Sequence, residues 1–324
     1  MVGSRRIIVL HQILANKKGP TSMFRIQWLI VLAFVITGLA GVRADNPKST
    51  QQPLWPDGVP GATSQDEGDV PQLFLTLVES DQPTAAIVIL PGGGYGGHAI
   101  DHEGHQFAQW FASLGVSSAI CNYRLRGKGN SGKGYGHPYP MIDAQRAIQT
   151  LRAKADDWNI DPSRVGVVGF SAGGHLCSTV STHFAEIDKS SSDPIASVSS
   201  RPDFAILAYP VIGFDKPYTH RGSQRNLLGE NPDPKLVKLL SNEEQVSKET
   251  PPTFLFHTVE DRGVPVENSI EYFKACRKHG VSVEMHLFPK GRHGLGLAKS
   301  VPGASQWPSL CEQWLRGLGV VTKE

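Results

Sequence analysis

Six short apolar runs, at residues 85–90, 116–122, 164–170, 204–209, 253–258 and 282–288, alternate with longer stretches of helical pattern. Several of these runs are apolar at every position rather than at every second one. A strand of that kind is covered on both faces, which belongs to a parallel sheet held between layers of helices. The stretches 104–114, 141–158, 172–184, 267–279 and 307–318 supply the crossovers. The expected fold is α/β, with a mostly parallel central sheet and helices on both faces. With 324 residues, 40% of them hydrophobic, the chain can build one core of this kind.

The first 44 residues read differently. Arg5, Arg6, Lys17, Lys18 and Arg25 precede an apolar run over 28–40, and Val42-Arg43-Ala44 follows. This is a secretory signal pattern, with an apolar run shorter than the roughly 20 residues that span a bilayer. Met23 is an alternative start that gives ordinary signal-peptide proportions, and a retained anchor helix is the competing reading. The expectation is a signal peptide over 1–44, export to the periplasm or the cell exterior, and no stable membrane anchor after cleavage. Residues 45–70, rich in Pro, Gly, Ser, Gln and Asp, read as an extended lead-in, and the catalytic domain as 71–324. Export permits disulfides among Cys121, Cys177, Cys276 and Cys311, in any of three pairings, but buried free thiols fit as well. The 32 basic and 30 acidic residues are mixed along the chain, so it lacks the basic stripe of a nucleic-acid binder.

Gly169-Phe170-Ser171-Ala172-Gly173 matches G-x-S-x-G, in which small neighbours permit a sharp turn that lifts the serine above the sheet. Five residues alone are weak evidence in a chain rich in Gly and Ser. Here the apolar run 164–170 enters the motif and a helical pattern leaves it, so strand, turn and helix stand in the required order. The helix start also aims backbone N–H groups at Ser171. Directly after the run 85–90 comes Pro91-Gly92-Gly93-Gly94-Tyr95, a loop with uncovered amides. Its position makes Gly93 or Gly94, together with Ala172, the expected oxyanion donors.

A serine nucleophile needs a base, and the base needs a partner that holds its tautomer. Asp261 and His293 each follow a strand pattern downstream, giving the order Ser, Asp, His. Glu260 competes with Asp261 for the orienting role. His257 lies inside a strand pattern and reads as a core histidine. His98, His102, Glu103 and His105 form a cluster past the glycine loop. Asp101 and Glu103 there are better explained by helix capping and dipole effects than by a metal. Cys177 reads as core, and Asp143 with Arg146 as a helix-surface pair. The segments 126–140 and 211–252 read as surface loops near the expected crevice, suited to substrate contacts or a lid.

Taken as a set, these motifs resemble the acetyl-esterase and feruloyl-esterase-like branch of the α/β-hydrolases, related to acetyl xylan esterases and to prolyl oligopeptidase-type catalytic domains. The resemblance covers roughly residues 71–318. It is carried by Pro-Gly-Gly-Gly-Tyr at 91–95, His-Glu-Gly at 102–104, Asn-Tyr-Arg-Leu at 122–125, Asp-Pro-Ser-Arg-Val at 161–165, Gly-Phe-Ser-Ala-Gly-Gly-His at 169–175, Glu-Asp-Arg-Gly-Val-Pro at 260–265 and Gly-Arg-His-Gly at 291–294. Pro91 stands where many α/β-hydrolases carry His, which is common in this branch. The resemblance implies an α/β-hydrolase fold, a Ser171-His293-Asp261 triad, no metal or organic cofactor, and removal of acetyl or similar small acyl groups from xylan or related carbohydrate esters. A prolyl oligopeptidase-like or short aminoacyl peptidase is the nearest rival, although the stretch before residue 71 is too short for that family's propeller. A carbohydrate-binding protein that has lost the chemistry is the more distant one.

Overall fold

The computed structural model describes residues 48–322 apart from Glu186, so the expected signal peptide at 1–44 lies outside the described residues. Eight strands form one sheet: β1 (Lys48–Pro53), β2 (Gln72–Leu77), β3 (Thr84–Leu90), β4 (Ser117–Asn122), β5 (Ile160–Phe170), β6 (Ala205–Ala208), β7 (Thr253–Thr258) and β8 (Val283–Phe288). Their spatial order is β1-β2-β4-β3-β5-β6-β7-β8. From β4 to β8 neighbouring strands run parallel, while β1 and β2 add an antiparallel edge.

The helices are α1 (Gln106–Ser113), α2 (Tyr139–Ala153), α3 (Ala155–Trp158), α4 (Ala172–Val180), α5 (Arg221–Leu228), α6 (Pro234–Leu239), α7 (Glu267–Lys278) and α8 (Trp307–Gly317). Side-chain alternation along the inner strands divides the core in two. Ala86, Val88 and Leu90 of β3 pack with Ile148 of α2, Leu176 of α4 and Tyr272 of α7. The residues between them, Ala85, Ile87 and Ile89, pack with Phe107 of α1 and Trp307 of α8. Both faces of the sheet are thus covered, which is why the inner strands are apolar throughout.

Three features depart from the expectations. The lead-in is more than a tether: β1 pairs with β2 in register from Lys48 opposite Leu77 to Pro53 opposite Gln72. Its side chains are almost all exposed, so no hydrophobic period marks it in the sequence. Second, the segment 211–252 holds no strand but does hold α5 and α6. Third, Asp143 and Arg146 do not pair with each other. Asp143 is buried and takes both prongs of Arg124, at 2.8 Å each, together with the Arg124 backbone N–H and the Trp55 indole N–H. Arg146 pairs instead with Asp193 and lies over the Trp55 ring. Arg124 also donates to Pro60 O at 2.6 Å, so this ion pair ties the lead-in to the exit of β4 and to α2.

All four cysteines are buried free thiols. Among the described residues no helix is long and apolar enough to cross a membrane.

Candidate active site

Ser171 occupies the turn between β5 and α4 with φ 54° and ψ −119°, a conformation that L-residues with side chains rarely adopt. Its backbone is pinned from two sides. The Ser171 N–H donates to Ala208 O at 3.1 Å, and its carbonyl accepts from Val211 N at 3.0 Å and His175 N at 3.1 Å. The small neighbours let α4 approach closely: a β-carbon on Gly173 would stand 2.1 Å from Leu90 O.

Asp261 follows β7 and His293 follows β8, so both reach the same end of the sheet as Ser171. His293 Nε2 lies 2.7 Å from Ser171 Oγ, and His293 Nδ1 lies 2.6 Å from Asp261 Oδ2. A carboxylate only accepts, so Nδ1 carries the proton and Nε2 is left to accept from the serine hydroxyl. Asp261 Oδ1 accepts from the N–H groups of Gly263 at 2.8 Å and Val264 at 2.9 Å. Burial alone would raise the Asp261 pKa. The hydrogen bonds from His257, His293 and the Val264 N–H outweigh that and hold it well below the usual carboxylate range. Asp261 is therefore ionised, as a partner for an imidazolium must be. Glu260 is exposed and pairs with Lys290, away from the histidine.

His257 is a buried histidine, as its strand position suggests, but it also supports the site. Its Nε2 donates to Val264 O at 3.0 Å and stands 3.4 Å from Asp261 Oδ2, while Nδ1 meets Ser269 Oγ at 2.8 Å.

Opposite the histidine, the loop after β3 folds back on itself. Gly96 N and Gly97 N donate to Gly93 O, and Ala99 N donates to Gly92 O. Gly93 and Gly94 take φ of 134° and 64°, where glycine is the residue that fits without strain. The Gly92 N–H is taken by Glu103 Oε2 at 2.8 Å. The N–H groups of Gly93, Gly94 and Ala172 make no hydrogen bond among the described residues. They are the amides that remain for an oxyanion, and Ala172 lies at the positive end of α4. A β-carbon on Gly92 would stand 2.9 Å from Ser171 Cβ, so the loop and the nucleophile are in direct contact.

The expected capping role of Glu103 is wrong. The residue is 3% exposed and turns inward, with Oε2 on Gly92 N and Oε1 accepting from the Tyr209 hydroxyl at 2.9 Å. The Tyr209 oxygen in turn accepts from Gly296 N at 2.9 Å, and its ring meets His293 edge-on at 5.3 Å. Glu103 and Tyr209 thus join the glycine loop to the loop that carries His293. Burial pushes the Glu103 pKa up, against the two hydrogen bonds. The His-Glu-Gly run at 102–104 was the only signal for this role, and a polar residue at a helix entry looks the same whether it faces solvent or core. Of the histidines around it, His102 places Nε2 3.7 Å from Glu103 Oε1, while His98 packs on Tyr123 and His105 on Phe74.

Two donors converge on Glu103, and glutamine offers one acceptor oxygen. Glu103→Gln is therefore expected to lower kcat on a chromogenic ester such as p-nitrophenyl acetate, the simplest probe of a serine–histidine pair, by about 10- to 100-fold through displacement of the oxyanion amides, with a smaller change in KM. Steady-state kinetics beside a thermal melt checks this, and an unchanged kcat would show that the clamp is dispensable.

Comparison with known proteins places this geometry in a family. The BD-FAE family matches residues 73–275. Endo-1,4-β-xylanase B of Butyrivibrio fibrisolvens is 37% identical over 231 residues, which are 71% of this chain and 35% of that protein. The acetylxylan esterase of Xylanibacter ruminicola is 36% identical over 238 residues, 72% of this chain and 44% of that one. The chain thus spans less than half the length of these two relatives. The crystal structure of an acetyl ester-xyloside bifunctional hydrolase from Caldicellulosiruptor lactoaceticus is similar over 86% of this chain and 99% of that chain, with 44% identity and a TM-score of 0.80. The eight-stranded sheet, the strand-turn-helix around Ser171 and these matches agree: the chain belongs to the BD-FAE family of the α/β-hydrolases.

Proposed function

We propose that this protein is a serine carboxylesterase that removes acetyl groups from xylan or related carbohydrate esters. The observation that carries the reading is the unbroken chain from Ser171 Oγ through His293 to Asp261, with contacts of 2.7 and 2.6 Å. The names of the relatives, an acetylxylan esterase and an acetyl ester-xyloside hydrolase, point to the substrate class.

In the reaction, His293 Nε2 takes the hydroxyl proton as Ser171 Oγ attacks the ester carbonyl. The tetrahedral oxyanion is held by the N–H groups of Ala172 and of Gly93 or Gly94. Asp261 stabilises the imidazolium and keeps the proton at Nδ1. The carbon–oxygen bond to the sugar then breaks, and the alcohol leaves with the proton from Nε2. Water, deprotonated by the same nitrogen, attacks the acyl-serine and releases the carboxylic acid. The basic residues and apolar run within 1–44 support delivery of the enzyme outside the cytoplasm, where a polysaccharide would be met.

The test is turnover of p-nitrophenyl acetate, acetylated xylan and an aminoacyl p-nitroanilide by one preparation. Acetate release from xylan with a silent anilide is the expected result. Cleavage of the anilide alone would replace the esterase by a peptidase.

A further inference from the structure

The helix that follows the nucleophile carries a buried histidine that the reaction scheme leaves unused. His175 stands in the first turn of α4, with its backbone N–H on Ser171 O at 3.1 Å and its ring fully enclosed. Nε2 lies 2.8 Å from Leu240 O, and Nδ1 lies 2.8 Å from the Tyr95 hydroxyl. A carbonyl only accepts, so Nε2 carries the proton and Nδ1 keeps its lone pair. The Tyr95 hydroxyl therefore donates to Nδ1. Burial pushes the His175 pKa down to about 3, against the bond to Leu240 O and with His137 and His183 adding to the effect, so the ring is neutral at ordinary pH. Phe214 stacks on it at 4.3 Å and 21°, which fixes its plane.

Tyr95 directly follows the two glycines whose amides remain for the oxyanion. It takes a φ of 60°, which a residue with a β-carbon adopts only at a cost. Three contacts hold it there. Its carbonyl accepts from Arg126 N at 2.8 Å, the preceding carbonyl of Gly94 accepts from Asn226 Nδ2 at 2.8 Å, and its buried side chain is tied to His175. Strain kept in place beside a reaction centre points to preorganisation.

Both parts of the anion site are thereby referred to one helix. The Ala172 N–H belongs to the start of α4, and the Gly93 and Gly94 N–H groups belong to the loop that Tyr95 anchors to the same helix. We propose that His175 is a positioning residue which, through Tyr95, fixes the glycine-loop amides at the separation from the Ala172 N–H that a tetrahedral oxyanion requires. The inference rests on the serine-hydrolase reading and adds what sets the geometry of its anion site. Donors placed where charge develops act on the transition state more than on the bound ester, so the effect belongs in kcat.

The test is made on the whole protein with p-nitrophenyl acetate and with phenylboronic acid, whose boron bonds the Ser171 oxygen as His293 takes its proton and so becomes a tetrahedral anion. Tyr95→Phe removes one oxygen and keeps the ring. It is expected to lower kcat by about tenfold with KM within about twofold, and to weaken inhibition by the boronic acid by a similar factor. His175→Leu loses the acceptor and should fall at least as far, whereas His175→Asn places Oδ1 near the position of Nδ1 and should recover most of the loss. Both His175 variants give up the bond to Leu240 O and the stacking on Phe214, so a role confined to packing predicts the same kcat for the two. Native kcat and boronic acid affinity in Tyr95→Phe, or equal kcat in His175→Leu and His175→Asn, would overturn the proposal. Either comparison decides by itself if the other variants fail to fold. The serine-hydrolase reading is decided separately, by whether turnover of p-nitrophenyl acetate requires Ser171. If that requirement holds while the variants behave as native, only the role of His175 falls.

Discussion

Ser171→Ala is expected to lower kcat on p-nitrophenyl acetate by about a million-fold, the scale seen when a serine hydrolase loses its nucleophile. No neighbouring group can take over. Cys177, on the following helix α4, is buried with its thiol directed at Ile206 O at 3.6 Å, and the hydroxyls of Ser178 in α4 and Ser181 just after it are bonded back to helix carbonyls. Alanine keeps the backbone at the turn, so Gly93, Gly94 and Ala172 remain in place to polarise a bound ester. The residual rate over water should therefore reflect those amides alone. The measurement is kcat for both proteins, with labelling by a fluorophosphonate probe as a second readout. A variant that retains a hundredth of the native rate, or that still labels, would remove Ser171 from its role.

Asp261→Asn is expected to cost about 10⁴ in kcat, and the surroundings of the carboxylate say why. The N–H groups of Gly263 and Val264 both point at Oδ1. In the variant they require an oxygen there, which places the amide nitrogen where Oδ2 stood, facing His293 Nδ1. An amide N–H at that point donates to Nδ1 and forces the histidine proton onto Nε2. His293 then presents a donor to Ser171 and can no longer take its proton. Because the trapped tautomer is dictated by two backbone donors, the loss should appear in kcat with little change in the thermal melt. Glu260→Gln is the comparison, expected to stay within about twofold of native because Glu260 is exposed and paired with Lys290. A loss below tenfold in Asp261→Asn would mean that another group orients the histidine.

The sequence was most readable where physics leaves one interpretation. The parallel strands β3, β4, β6 and β7 and the second half of β5 are buried on both sides or nearly so, and their apolar runs announce them, while β8 at the sheet edge has only half-buried and exposed side chains. Ser171, Asp261 and His293 each follow one of the parallel strands, so their meeting at one end of the sheet follows from the strand assignments. The groups that escaped are polar side chains whose role depends on which way they turn. Glu103, Tyr209 and Asp143 become buried acceptors or donors only because a partner arrives from a distant segment, and no local pattern encodes that arrival. Strand β1 escaped for the opposite reason. It buries almost nothing, and its pairing with β2 rests on main-chain hydrogen bonds that any polar sequence can make. The period-two pattern of β2 was present in Gln72-Leu73-Phe74-Leu75-Thr76-Leu77, but it abuts a lead-in with no structure of its own in the sequence.

The four buried thiols set how the fold responds to its chemical surroundings. Burial pushes the thiol of Cys276 up to about 12 and raises those of Cys121, Cys177 and Cys311 as well. Thiolate is the species that exchanges with disulfides and reacts with oxidants, and at neutral pH almost none of it is present at these sites. The buried thiols of the folded domain are accordingly poor partners for thiol–disulfide exchange. With its four cysteines unpaired, the domain offers glutathione no disulfide to reduce.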